Sequence, residues 1–485
     1  MKIDKLTIAH ISDLHRSSDN PISNEALLTS LIRDIDTYST EGIHKPDILI
    51  VSGDIVQGSN NYEKAATLLS EQYTEALEFL NSLADVLFDG DKSKIILVPG
   101  NHDISWTESK NSMERIEEKD ITEHDGILRK NIFQEAIKID SNIKWSWSDR
   151  SFYRIINSEM YENRFAYFCD FYQKFYNGEK SYSLDPNEQF DIFDFQEWGV
   201  SIIGFNSCFH NDHLNRAGSI NPRCIGKVGL KLRDLNKEGR LILAAWHHNT
   251  KGGPYDQDYM DNACIQNFIV DNVKIGFHGH QHRVEVLRAE NNIIDSKMML
   301  ILSAGSLCAG PKELPAGYNQ QYNLLELSRT DNETIQLKVY SRTKTLQSSF
   351  ENPIWERGTF NSTVSEFTTS IKHNKPPIPN LGKVEKLIGD KDYQAAQKIL
   401  IEHDISDPFV RILLLECYNH FENYPGIIEH FSKPQTIPEA IELMNASLEI
   451  GDSDIIKKIF EIDFIVNTTD PSVVYLRNQL KGKIR

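Results

Sequence analysis

Seven short apolar runs, each broken off by polar or ionisable residues, constrain this chain more than any other feature. They occupy residues 6–11, 48–51, 95–97, 202–205, 241–245, 273–277 and 299–302. Each is too short to be a buried helix and is rich in Ile, Leu and Val, so each reads as a core strand. Their C-terminal ends are chemically loaded, carrying Asp13 and His15, Asp54, Asn101 and His102, Asn206, His247 and His248, His280 and His282, and Ser303. Helical spacing of apolar residues over 22–38 and 62–83 separates the first three runs. Strand and helix in alternation predict an α/β domain with its site beyond the C-terminal ends of the strands.

The run Val98-Pro99-Gly100-Asn101-His102-Asp103 is the sharpest case. A glycine there lets the backbone approach a neighbour closely, and an amide, an imidazole and a carboxylate come directly after it. Asp13 and His15 are two apart, so extended backbone would send both side chains to one side. His10 reads as a hydrogen-bonded core histidine. The strand-end groups are then Asp13, His15, Asp54, Asn101, His102, one of His247 and His248, His280 and His282. Carboxylates, imidazoles and one amide suit Mn²⁺, Fe or Zn²⁺; they are too nitrogen-rich for Ca²⁺ and too poor in thiolate for a structural zinc site. They exceed the needs of one tetrahedral ion, and two ions sharing a bridging carboxylate would use them all.

Taken in order, Asp13-Leu-His15, Gly53-Asp54, Gly100-Asn101-His102-Asp103, His247-His248 and Gly279-His280-Gln-His282 resemble the five blocks of the calcineurin-like metallophosphoesterase superfamily, over about residues 6–340. The resemblance implies a four-layer α/β/β/α sandwich and a dimetal phosphoesterase. It implies that Asp13, His15 and His282 hold one metal, that Asn101, His247 and His280 hold the other, and that Asp54 bridges them. His102 would be the histidine outside the ligand set that protonates the leaving oxygen, with Asp103 supporting it. Two metals about 3.5 to 4 Å apart would hold a bridging hydroxide for in-line attack. Manganese is the first expectation for the cofactor, with iron or zinc as alternatives. The substrate expected is a phosphodiester of a nucleotide or nucleic acid. The alternatives are a phosphomonoesterase and, in a different class, a non-enzymatic scaffold built around the tail.

Residues 105–200 interrupt the alternation and are crowded with aromatics. The spacing of Tyr161, Phe165, Phe168, Tyr172 and Phe175 predicts a helix with an aromatic stripe, packed inward rather than stacking bases, within a helical insertion or cap over the site. The catalytic domain is expected to span 1–345, a polar connector containing Lys375-Pro376-Pro377-Ile378-Pro379 to span 346–380, and an all-α domain to span 381–485. Motifs around Tyr393, Tyr424 and Asp454 recur about every 30 residues and resemble degenerate tetratricopeptide-type repeats, expected to recruit a protein partner or mediate self-association. A formal charge of −18 argues against a broad basic surface that coats nucleic acid, although a local metal-charged site can still accept it. Six scattered cysteines without a Cys-x-x-Cys pair, no signal-peptide pattern and no long apolar run predict a cytoplasmic protein that avoids membranes.

Overall fold

Alternation of side chains along the strands sets the layers. The structure is a computed structural model that describes residues 3–483 apart from 60, 122–129, 137, 139, 252–257, 291–296, 311, 331–333, 361–363, 374–383, 385–386, 402–404 and 406–407. Among these residues the strands are β1 (Lys5–Ile11), β2 (Ile48–Val51), β3 (Ile95–Leu97), β4 (Met113–Arg115), β5 (Ile143–Ser146), β6 (Ser151–Ile155), β7 (Phe190–Phe195), β8 (Val200–Phe205), β9 (Leu241–Ala245), β10 (Ile275–His278), β11 (Glu285–Glu290), β12 (Met298–Ser303), β13 (Gln321–Arg329), β14 (Thr334–Lys344), β15 (Trp355–Arg357) and β16 (Glu366–Lys372). One sheet has the order β15-β14-β13-β1-β2-β3, with β16 also on β14; a second runs β11-β12-β10-β9-β8-β7. Parallel β1-β2-β3 and parallel β8-β9-β10-β12 form the two centres, and antiparallel strands close their edges.

In β9, Leu241, Leu243 and Ala245 face the first sheet's core, while Ile242 and Ala244 pack with the helices Pro222–Lys237 and Asn262–Val270. The helices Asn24–Tyr38 and Ala65–Phe88 cover the other sheet, giving a four-layer α/β/β/α sandwich. The sheets meet closely: a side chain at Gly204 would come 2.9 Å from Val98 Cγ1. Both parallel centres therefore end at the same edge of the sandwich, where the polar strand ends gather.

The segment 105–200 is mixed rather than helical. It holds a small sheet of order β4-β6-β5, and β7 from the same stretch pairs with β8. The strands around Glu114 and Trp145 pair on either side of β6, and along β5 Ile143 and Trp145, two apart, pack with Phe152. The aromatic stripe lies on the helix Ala166–Phe175 and is core: Phe168, Phe171, Tyr172 and Phe175 are buried, with Phe171 5.0 Å from the Tyr73 ring of the covering helix.

The expected connector at 346–380 is also corrected. β15 and β16 both pair with β14, and Ile371 joins the core, so the first unit runs to Pro376. Glu366–Lys372 alternates Phe367, Thr369 and Ile371, which suits an edge strand better than a linker. The proline-rich Lys375–Pro379 lies outside the described residues. The second unit, Pro377–Arg485, is helical from Tyr393–Ile401 to Pro471–Lys481. Its 30-residue recurrence is a recurrence of helix starts: Asp392, Asn423 and Asp452 each accept a backbone N–H from the next turn of chain, from Ala395, Gly426 and Asp454. Arg411, on the helix Pro408–His420, and Glu439, on the helix Ile437–Ile450, form a buried pair at 2.7 Å that ties those two helices together. No helix among the described residues is long and apolar enough to cross a membrane. The six cysteines are free, all buried except the half-buried Cys169.

Because the stripe is core, Phe171→Ala should lower unfolding free energy by about 3 to 5 kcal/mol in urea titration. Trp147→Ala, at a ring 71% exposed, should change it by less than about 0.5 kcal/mol. Equal effects would place the stripe outside the core.

Candidate metal centre

The site begins with backbone conformation. β1 stops at Ile11, and beyond it Asp13 (φ 53°) and His15 (φ 42°) are left-handed, as are Asp54 (φ 49°), His280 (φ 69°) and His282 (φ 52°). Asp13 and His15 thus reach one cluster by two left-handed turns, not by the alternation of extended backbone. Asp and His are among the side chains that tolerate this region best. Hydrogen bonds between loops hold the turns: Asp13 N–H donates to Gly53 O at 3.0 Å, His15 N–H to Asp54 O at 3.0 Å, and Arg16 N–H to Ile55 O at 2.9 Å. Glycines make room for the side chains. A Cβ on Gly100 would overlap the Asp54 carboxylate, and one on Gly279 would overlap Ser12 Oγ.

Three overlapping groups of donors result: Asp13, His15 and His282; His15, Asp54 and His102; and Asp54, His247 and His280. Asp54 belongs to the second and third groups, and His15 to the first and second. His282 Nε2 is 3.0 Å from Asp13 Oδ1, and His247 Nε2 is 3.2 Å from Asp54 Oδ2. His15 Nε2 stands 4.0 Å from both carboxylates. Asn101 Oδ1 is 3.1 Å from His247 Nε2 and 2.9 Å from His280 Nδ1. His102 Nε2 is 3.9 Å from Asp54 Oδ2, and this side chain is 36% exposed, whereas Asp13, His15, Asp54 and His247 are buried.

Outer partners decide how the rings face. Carbonyl oxygens only accept, so His247 Nδ1 donates to Ser52 O (2.8 Å), His282 Nδ1 to Glu313 O (2.9 Å) and His102 Nδ1 to Gln57 O (2.6 Å). His280 is turned the other way, with Nε2 3.1 Å from the Asp258 carboxylate. When neutral, each ring therefore presents its second nitrogen, with a lone pair, to the cluster. His247 Nε2 and His280 Nδ1 face each other at 3.3 Å, an arrangement that needs a cation or a proton between them. Both ring nitrogens of buried His15 lack a hydrogen-bond partner. Unpartnered imidazole, inward lone pairs and two buried carboxylates fit divalent metal ions.

Without a metal, protons take its place. Burial opposes a charged His247, but the Asp54 carboxylate overrides it and holds the ring up at about 9; Asp13 does the same for His282, also to about 9. Against their own burial, Asp54 and Asp13 are held below the usual carboxylate range by His247 and His282 respectively. Burial, and then His102, pushes His15 down to about 4.

Of the adjacent pair, His247 enters the cluster. His248 turns away, its Nδ1 2.9 Å from Ser207 Oγ. His10 is a core histidine 2.9 Å from Ser52 Oγ. Asp103 accepts the N–H groups of Gly100 (2.7 Å), Ile55 (3.2 Å) and Val56 (3.3 Å) and the Tyr73 hydroxyl (3.2 Å), so it clips the Asp54 and Asn101 loops together. Burial, then Asp54, pushes its carboxyl up to about 7. Sequence reading missed Asp258, which ends no strand, and the carbonyls of Ser52, Gln57 and Glu313, which no side-chain pattern announces. Ser207 Oγ, which receives the N–H groups of His247 (3.1 Å) and His248 (3.2 Å), could have been found from its place after β8.

The family model for calcineurin-like phosphoesterases matches residues 6–284. The chain belongs to the calcineurin-like phosphoesterase family. This family works with a dimetal centre and hydrolyses phosphoric esters. Among solved structures, the chain is similar to a dimetal phosphatase from Danio rerio, at 9% identity over 77% of this chain and 100% of that one, with a TM-score of 0.38. It is similar to the calcineurin-like phosphoesterase YfkN from Bacillus subtilis, at 9% identity over 82% and 99% of the two chains, with a TM-score of 0.28. A 5'-nucleotidase from Candida albicans aligns at 13% identity over 87% of this chain and 59% of its own, with a TM-score of 0.28. No curated protein sequence matches the chain.

Two measurements probe the donor set of this phosphoesterase. His247 and His282, held at about 9, must give up protons before a cation can enter, so Mn²⁺ affinity should fall as pH drops below about 9. Where two protons leave, the fall is about 100-fold per pH unit, and calorimetry near pH 7.5 in buffers of different ionisation heat should register proton release. Asp258→Asn should weaken Mn²⁺ binding by about 10- to 100-fold, since it removes the carboxylate that orients His280. Unchanged affinity would make the His280–Asp258 contact incidental.

Proposed function

We propose that the chain hydrolyses phosphodiester bonds of nucleotides or nucleic acid at this centre. In this reading Asp13, His15 and His282 hold one divalent ion, Asn101, His247 and His280 hold the second, Asp54 is shared, and manganese is the working metal. When bound, two such ions would lower the pKa of a water molecule and neutralise phosphoryl oxygens. The chain's own residues do the rest. His102 is tethered through Nδ1 to Gln57 O, which leaves Nε2 over the cluster and open to solvent. A proton held at Nε2 can pass to the departing ester oxygen. Asp103 and Gly100 fix the loop from which His102 projects, and the His102 N–H itself donates to Asp54 Oδ1 at 2.8 Å.

The observation that carries the diester and nucleotide preference is the rim just beyond His102. Trp106 lies four residues on, and the Arg216 guanidinium sits 4.8 Å over its ring. Arg216 also helps hold the Asp258 carboxyl low, after the His280 contact and against burial, which puts it beside the second group of donors. On the same helix as Trp106, Lys110 lies 3.9 Å over the exposed Tyr62 ring. Flat rings beside cations suit a nucleobase and the flanking phosphate of a polynucleotide, groups attached through the second ester bond that a simple monoester lacks. The helical unit 377–485 is proposed to recruit a protein partner or a second copy.

Mn²⁺-loaded protein should release p-nitrophenol from bis(p-nitrophenyl) phosphate and cut a single-stranded oligonucleotide. Asp54→Ala should abolish turnover, and His102→Ala should lower kcat by about 10²- to 10⁴-fold while metal content holds. Turnover of monoesters alone would overturn the diester assignment, and full activity in His102→Ala would overturn the proton-donor role.

A further inference from the structure

The helix Ala65–Phe88 turns Leu69, Tyr73, Ala76 and Leu80 into the core, and Gln72 shares that buried face. An amide placed among apolar side chains must find partners there. Gln72 finds both on one residue: its Oε1 accepts the Gly58 N–H at 3.0 Å, and its Nε2 donates to Gly58 O at 3.1 Å. A side-chain amide accepts and donates side by side, which is what this pair requires. The turn it holds requires a glycine. Gly58 is left-handed (φ 76°), and a Cβ there would come 3.0 Å from His102 O and 3.4 Å from His102 Nδ1.

The Gly58 N–H belongs to the same peptide unit as Gln57 O, which accepts the His102 Nδ1–H at 2.6 Å. In a planar trans peptide the N–H and the C=O point opposite ways, so whatever fixes the N–H also aims the carbonyl. Gln72 grips one end of this unit, and the His102 ring is tied to the other. Donation from the N–H also polarises the carbonyl and strengthens its hold on the ring. Tyr73, the next residue of the helix, grips the chain that carries His102: its hydroxyl lies 3.2 Å from both Asp103 O and Asp103 Oδ1. Two consecutive helix residues thus hold the segment that bears the ring and the segment that anchors it.

Resting on the proton transfer proposed above, we infer that Gln72 is a positioning residue for His102: through the Gln57–Gly58 peptide it keeps Nδ1–H tied back and Nε2 over the metal cluster. Gln72 itself belongs to none of the donor groups. When His102 Nε2 gives its proton to the departing ester oxygen, the P–O bond breaks with its electron pair on that oxygen. The ring is left neutral with its remaining proton on Nδ1, the form that Gln57 O stabilises. A ring released from the carbonyl carries that proton on either nitrogen and is free to turn.

Gln72→Met keeps the side chain's length and removes both hydrogen bonds. In the Mn²⁺-loaded full chain it should lower kcat on a dinucleoside monophosphate by about tenfold or more, with KM, metal content and circular dichroism unchanged. Turnover of bis(p-nitrophenyl) phosphate should fall less, because p-nitrophenolate departs readily without a proton. In the His102→Ala background Gln72→Met should cost nothing further. Gln72→Glu, a second variant that keeps the acceptor but sets a carboxylate against Gly58 O, should act in the same direction. A spectrum gives a readout apart from turnover. In the metal-free full chain carrying ¹⁵N-labelled histidine, the His102 signals, assigned by their loss in His102→Ala, should show the neutral ring protonated at Nδ1, and Gln72→Met should mix the two tautomers. Full turnover in His102→Ala would overturn the proton-donor reading and leave the placing of the ring to the spectrum, so the two fail separately. An unchanged His102 spectrum in both Gln72 variants, or equal losses on the two diesters, would overturn the proposal.

Discussion

Two carboxylates buried at the joint edge of two sheets, Asp13 and Asp54, are the constraint that governs everything else in the molecule. Neither is exposed to water, and each is matched by an imidazole at 3.0 to 3.2 Å. Buried negative charge of this kind must be neutralised by protons or by metal. The protein answers with the rings of His247, His280 and His282, each tied through one nitrogen to an acceptor so that the other faces inward. Around the carboxylates the chain has built a receptor for positive charge, and the phosphoesterase chemistry of the family is the use of that charge.

The sandwich supplies the precision. Both parallel centres end at one edge, so loops far apart in sequence converge there, and five of the converging residues take up left-handed backbone. Such positions cost free energy on a scale of about 1 kcal/mol or more unless the side chain tolerates them. All five are Asp or His. Inter-loop hydrogen bonds and the close packing permitted at Gly100 and Gly279 keep the turns in place. Asp103 adds the clip that joins the Asp54 and His102 loops, so the residue proposed to move a proton and the carboxylate proposed to be shared are set by one structural unit.

Much of this was legible in the sequence because strand ends are chemically conspicuous. Apolar runs of three to six residues followed by Asp, Asn or His named the family and the cluster members, and the inward packing of the Phe168–Phe175 stripe followed from helical spacing. The features that stayed hidden have common physical roots. Backbone carbonyls that orient rings leave no side-chain mark, so Gln57 and Glu313 were invisible. Asp258 acts through a neighbour in space rather than in sequence. The left-handed turns at Asp13 and His15 cannot be read from residue types that are equally at home in extended chain. The edge strands at Trp355 and Glu366–Lys372 looked like connector because an edge strand with one exposed face is polar at half its positions. The 30-residue recurrence in the tail marked helix caps, a weaker regularity than the packing repeat it resembles.

If the seven side chains Asp13, His15, Asp54, Asn101, His247, His280 and His282 form two cation sites sharing Asp54, the purified chain must hold a fixed number of ions. Its metal content after reconstitution with Mn²⁺ and removal of free ion, measured by inductively coupled plasma mass spectrometry, decides the matter. Two ions per chain are expected in the wild type, one in His282→Ala and one in His247→Ala, with the fold intact by circular dichroism. One ion or none in the wild type, or two retained in both variants, would contradict the shared-carboxylate centre.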